Sequence, residues 1–151
     1  TSVSTILVEG DDMNDPVGDT VRGIVDGHIV LSRRLVSYGH YPPIDVLESL
    51  SRTMPSTCSP EHIAAATRLR RVLAVYQENE ELIRLGAYKK GSDAEVDKSI
   101  ELKVHLDAFL RQDKSDFTDW NQCLEVLTKL AISADSKPKA QNTQNFRRNI
   151  R

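Results

Sequence analysis

Residues 7–54 read LVEGDDMNDPVGDTVRGIVDGHIVLSRRLVSYGHYPPIDVLESLSRTM, and this stretch decides the fold. Ile6, Leu7 and Val8 form a short continuous apolar run, the pattern of a buried parallel strand. The acidic turn from Gly10 to Pro16 breaks it. Asp15 is placed to cap a helix that has Pro16 at its first position. That helix is expected over about 17–25, with Val21, Ile24 and Val25 on one face. Asp26-Gly27 ends it, and His28 to Leu31 reads as a second strand. Residues 32–38 read as a helical turn closed by Gly39. Tyr41-Pro42-Pro43 forces an extended approach, because a residue before proline avoids the helical region. Residues 44–51 alternate at Ile44 and Val46, then slip to Leu47 and Leu50. Strands and helices alternating in this way argue for the edge of an α/β sheet. A strand starting near Val3 needs neighbours, and few other strand candidates exist here, so its partners are expected in residues not present in this sequence.

Beyond Pro55 the pattern becomes helical. Ser59-Pro60-Glu61 combines a capping serine, a first-position proline and a first-turn acid. Ala66, Leu69, Val72, Leu73, Tyr76 and Ile83 then follow helical spacing, and Leu85-Gly86 closes the helix. Ser92 with Glu95 reads as a capping box. It opens a helix carrying Val96, Ile100, Leu106, Phe109 and Leu110. A third helix is expected over about 119–134, with Trp120, Cys123, Leu124, Leu127, Leu130 and Ala131 inward. Three amphipathic helices on short links make a small bundle. The residues after Asp135 contain no acid and five bases: Lys137, Lys139, Arg147, Arg148 and Arg151. Without periodicity and rich in Gln and Asn, they read as a basic disordered tail. The expected organisation is therefore 1–57, an α/β edge; 58–134, a helical domain; and 135–151, the tail.

A net charge of −2 on 151 residues gives no global pull toward nucleic acid or anionic membrane. No apolar run is long enough to span a bilayer, and no secretory leader pattern is visible. Cys58 and Cys123 stand far apart with no metal-ligand spacing, so idle thiols in a reducing compartment are expected, with a disulfide or metal site as the alternative. His28, His40, His62 and His105 show no ligand spacing; all four read as ordinary, His28 as buried in its strand. No nucleophile constellation is present. Asp11, Asp12 and Asp15 spell DDxxD, which suits magnesium-bridged diphosphate on a long helix of an all-α enzyme. Here a strand precedes it and Pro16 follows, which disfavours that use. The glycine and closing glutamate of a calcium loop are missing.

Five segments in order resemble one family: VEGDDMNDP, DGHIVLSR, GHYPPIDVLESLSR, ELIRLGAYKKGSD and FLRQ, spanning about residues 3–112. The chain resembles the C-terminal part of the flagellar and type III secretion export ATPases, relatives of the catalytic β subunit of ATP synthase. The resemblance implies an α/β fold: the C-terminal edge of a P-loop (RecA-like) ATPase core followed by a small α-helical bundle. It implies that Arg52, of the Ser-Arg pair, is an arginine finger on ATP held by the neighbouring protomer. A guanidinium suits this because it stays charged and binds phosphoryl oxygens in a planar fork. A structural ion pair is the plain alternative. Tyr41 is implied to stack on adenine, although the family's Tyr-Pro-Ala is Tyr-Pro-Pro here; a core or turn tyrosine is the alternative. Asp12, Asn14 and Asp15 are implied to touch a coiled-coil central stalk, a role compatible with a plain capping turn. The loop from Tyr88 to Asp97 matches one that meets the stalk in relatives. Its mixed charge, with Lys89, Lys90, Asp93, Glu95 and Asp97, reads equally as a solvated loop. No second adenine contact carries over near 109–114, where Asp113 and Lys114 replace aromatic residues.

There is no GxxxxGK[ST] loop and no acid placed to hold magnesium, so the ligands of ATP and Mg2+ are expected outside this chain, which alone should hydrolyse nothing. The resemblance implies a homo-hexamer, a stalk protein, export substrate–chaperone complexes and no nucleic-acid partner. It implies a cytoplasmic location, peripheral to an export gate at the inner face of the bacterial membrane. The rival reading is a non-catalytic, truncated paralogue that binds a stalk or ring. A vacuolar-type or synthase subunit is disfavoured by the loop sequences.

Overall fold

A computed structural model of the chain describes residues 1–8 and 15–135. Asp11, Asp12, Asn14 and the basic tail therefore lie outside the described residues. Helix α1 (Pro16–Ile24) starts as its sequence dictates: the Asp15 carboxylate accepts from Gly18 N, and Pro16 opens the first turn. Strand β1 (Gly27–Leu31), helix α2 (Arg33–Ser37) and strand β2 (Ile44–Ser51) follow. Gly39 ends the α2 turn in the left-handed region, with φ 64°. β1 and β2 form a two-stranded antiparallel sheet. Short helix α3 (Met54–Thr57) leads to α4 (Pro60–Arg84), α5 (Ala94–Leu110) and α6 (Trp120–Asp135).

The Ile6–Val8 strand is not formed. Residues 1–8 carry no regular structure, and Val3 and Leu7 are 94% and 92% exposed. A strand requires a neighbour to take its backbone bonds, and β1 and β2 take each other's. Two further expectations change. The α5 cap is Asp93, whose Oδ1 accepts from Glu95 N and Val96 N, whereas Ser92 Oγ donates back to Lys89 O. An aspartate immediately before the helix reaches both orphan N–H groups, and Ser92 stands one residue too early. Trp120 is exposed rather than inward: it is the first residue of α6, where its ring meets that of His62 edge-on at 5.6 Å.

The core sits among α4, α5 and α6. Ala65, Leu69, Leu102, Leu106 and Ala131 are buried, with Val72, Leu73, Leu127, Leu130 and Ala134 packed around them. Both cysteines are free and half-buried. No helix among the described residues is long and apolar enough to cross a membrane.

Candidate functional site

β2 is the scaffold of the site, because it joins the two candidate residues. Tyr41 stands just before it and Arg52 just after. Gly27 pairs with Ser51 and Leu31 with Ile44, so four steps of β1 measure the distance from Ile44 to Ser51. At about 3.4 Å per residue that is about 14 Å. The two side chains stand beyond opposite ends of that span.

Arg52 continues the strand in hydrogen bonding: its N–H donates to Asp26 O at 2.7 Å. Its guanidinium is exposed and rests on the last turn of α1, donating to Gly23 O at 3.3 Å and Arg22 O at 3.2 Å. A cation on the orphan carbonyls of a helix C-terminus is favoured by the helix dipole. Among the described residues it meets backbone carbonyls and no carboxylate. A structural salt bridge, the plain alternative for this arginine, is thus not what these residues form.

Tyr41 is 52% exposed. Its backbone carbonyl accepts from Gln112 N at 2.8 Å, just past the end of α5. The Tyr41–Pro42 peptide is cis. The segment following α5 is folded on itself, Gln112 Nε2 donating to Asp116 O and Asp113 N to Asp116 Oδ2. The loop that presents Tyr41 is thus tied to the helical domain by backbone.

His40 is the buried polar residue of this loop, at 6% exposure. Its N–H donates to Leu35 O. Burial is the main cause holding its imidazole below the usual histidine range; the Arg111 and Lys103 charges act in the same direction, while Asp107 and the backbone of Leu110 oppose them. His40 borders a cavity of about 290 Å³ between α2, β2, α4 and α5, with Tyr38, Tyr76, Asp45 and Arg111 among its walls. Reading His40 as ordinary missed this burial. His28, expected buried, is only half-buried, and its Nε2 meets Glu48 O at 3.1 Å.

Asp15 spends its carboxylate on capping α1. Around Tyr88 the loop is closed internally: the hydroxyl, with its single proton, lies within donating reach of Asp93 O at 2.9 Å and Asp97 Oδ1 at 3.0 Å, and Asp97 Oδ2 accepts from Gly91 N. Sequence reasoning also missed Arg70 of α4, which reaches into β2 and donates to Ser49 O at 3.0 Å and Leu47 O at 3.1 Å. A signal existed: Arg70 falls between Leu69 and Leu73 on the core-facing spacing of α4, where a cation requires a reason.

Among the described residues no group of three or more His, Cys, Asp or Glu side chains could hold a metal ion. What this chain could offer a nucleotide is an aromatic face at one end of β2 and a cation at the other.

A strand pair abutting a three-helix unit is consistent with the C-terminal edge of an ATP synthase alpha/beta-type nucleotide-binding domain with its helical extension, and family models identify it as such. Residues 1–51 match the family model for the ATP synthase alpha/beta nucleotide-binding domain, and residues 58–129 match that for the type III secretion EscN ATPase C-terminal domain. The SPI-2 type 3 secretion system ATPase of Salmonella typhimurium is 55% identical over 130 residues, covering 86% of this chain and 30% of the relative. The flagellum-specific ATP synthase of Treponema pallidum is 48% identical over 136 residues, covering 88% and 30%. Among solved structures, the assembled ATPase EscN of enteropathogenic E. coli matches with a TM-score of 0.79 and 40% identity, over 83% of this chain and 31% of that one. EscN in complex with its central stalk EscO matches at 0.72 and 40%, over 77% and 29%. The chain belongs to the family of type III secretion and flagellum-specific ATPases. It spans about 30% of the length of the relatives it matches.

Proposed function

We propose that this chain is the C-terminal part of an ATPase that couples ATP hydrolysis to protein export through a type III secretion or flagellar apparatus. Residues 1–57 complete the nucleotide-binding domain, 58–134 form the helical domain, and 135–151 a basic tail. Arg52 acts on ATP held by the neighbouring protomer of a homo-hexamer, and Tyr41 stacks on the adenine of ATP in its own protomer. The observation that carries this is the placement of the two residues at opposite ends of one strand, which suits two different nucleotides. Arg52 favours the reading further because its fork is exposed and held only by carbonyls, which it can exchange for phosphoryl oxygens at modest cost.

Bound ATP with Mg2+ supplies the phosphoryl group and its charge neutralisation. The residues that cradle the phosphates and the metal lie outside this chain, so residues 1–151 alone hydrolyse nothing. Asp12, Asn14 and Asp15 meet the coiled-coil stalk; the solved complex of EscN with its stalk EscO supports such a partner for a relative. Asp15 also caps α1. The helical domain meets export substrate–chaperone complexes, and the assembly sits in the cytoplasm against the export gate at the membrane. The rival reading, a non-catalytic stalk- or ring-binding module, gains no support from relatives that are themselves named as ATPases.

The test is steady-state ATPase activity of the whole protein carrying Arg52→Ala. The expected result is a fall in kcat of about 10³-fold, the scale of an arginine finger, with the oligomer intact. An unchanged kcat would overturn the role of Arg52.

A further inference from the structure

β2 reaches Arg52 through an irregular stretch. Val30 pairs with Asp45, and the next pair is His28 with Leu50. One residue of β1, Ile29, therefore faces four of β2, 46–49. A bulge of this kind takes backbone groups out of the ladder, and they need other partners. Side chains supply them. Asp45 Oδ1 accepts from Leu47 N and Glu48 N at 3.0 and 3.1 Å. Ser49 Oγ donates to Asp45 O and accepts from Val30 N. The carbonyls of Leu47 and Ser49 are taken by the two terminal nitrogens of Arg70, which comes from α4 of the helical domain.

We infer that Arg70 is a positioning residue for Arg52: its fork clamps the bulge and so fixes the direction in which the strand delivers the finger. The inference rests on the role of Arg52 proposed above. Ser49 lies three residues before Arg52. Between them Leu50 and Ser51 are paired with His28 and Gly27. At Gly27 the strands approach so closely that a Cβ would stand 2.7 Å from Leu50 O. Past the bulge the strand is therefore a stiff rod, while the bulge is the point where it can bend. Arg70 grips that point from the helical domain. A shift of α4 against the sheet moves the two gripped carbonyls, and with them Arg52. Arginine is required because two carbonyls must be met at once by a planar fork; a lysine ammonium is a single point.

The experiment measures kcat, KM and oligomer mass of the whole protein for Arg70→Met, Arg70→Lys, Arg52→Ala and the double variant Arg52→Ala/Arg70→Met. Arg70→Met should lower kcat at least tenfold, within the range an ångström-scale misplacement costs, with KM within about twofold and the oligomer retained. Arg70→Lys should recover part of the rate. The double variant should be no slower than Arg52→Ala alone, since Arg70 acts through Arg52. A wild-type kcat in Arg70→Met beside an inactive Arg52→Ala would overturn the clamp and leave the finger standing. So would a double variant slower than Arg52→Ala by the full factor of Arg70→Met. Wild-type activity in Arg52→Ala would overturn the finger reading and the clamp with it. Should Arg70→Met fail to assemble, Arg70→Lys decides: a kcat equal to wild type overturns the proposal, and an intermediate kcat at unchanged KM supports it.

Discussion

The strand unit and the helical unit hold themselves together in opposite ways. Among the described residues, the buried hydrophobic ones, Ala65, Leu69, Val96, Leu102, Leu106 and Ala131, all belong to α4, α5 and α6. Residues 15–57 bury no hydrophobic side chain; their one buried side chain is His40, and Ile29, Leu31 and Leu50 of the sheet are exposed. The helical unit is stabilised by apolar burial, and the strand unit by hydrogen bonds, caps and polar ties to its neighbour: Arg70 to the bulge, Gln112 to Tyr41 and the exposed Arg34–Glu80 ion pair. The candidate residues Tyr41 and Arg52 lie on the unit without a core. A packed core resists displacement, whereas a hydrogen-bonded strand follows what it is tied to. The division of labour suits a site whose geometry is set by a neighbouring domain.

The contrast can be broken most directly in the helical core. Leu106→Ala, at a 2% exposed site, should cost about 2–5 kcal/mol in urea unfolding followed by helix content. Ile29→Ala in the sheet, at 72% exposure, should cost under about 0.5 kcal/mol. Equal losses would erase the distinction between the units. Next in size is the α5 cap. Asp93→Ala should lower the unfolding free energy by about 1 kcal/mol, and Ser92→Ala by clearly less; the reverse order would restore the capping box that the sequence suggested.

A third test uses pH and sharpens the comparison at the joint between units. The imidazole of His40 is held below its ordinary value, chiefly by burial. The unfolded chain therefore takes up the proton first as pH falls, so the contribution of His40 to stability is full above about 6.5 and is lost as pH falls below it. Unfolding midpoints between pH 7.5 and 5 should drop for the wild type and drop less for His40→Gln. Identical pH profiles would remove His40 from the joint. The smallest effect is expected at the surface ion pairs. Glu125→Gln removes an exposed carboxyl that the Lys129 hydrogen bond holds below the ordinary range; it should move the urea midpoint least of all the variants, because water and salt screen an exposed pair.

Much of this was legible because it is local. Asp15-Pro16 and Ser59-Pro60 mark helix starts by side chains that reach N–H groups three residues on. Gly39 and Gly86 mark helix ends because both adopt positive φ. The slip in alternation between Val46 and Leu47 was a faint image of the bulge. Less legible were the features whose partners are distant. Trp120 fits an apolar helical face by spacing, yet its place at the first turn of α6 leaves it at the rim. Residues 6–8 have strand character but no paired neighbour among the described residues. Arg70 was passed over because its targets, Leu47 and Ser49, are 23 and 21 residues away.

By itself, then, the sequence determined the family, the succession of strand pair and three long helices, most of the caps, and the candidacy of Tyr41 and Arg52. Each depends on residue type and on spacing over a few positions. The tertiary structure alone decided that Arg70 fills the bulge, that His40 is buried in the Tyr41 loop, and how that loop is tied to the end of α5. These are contacts between elements, and they exist only once packing of the helical unit has placed α4 and α5 against β2.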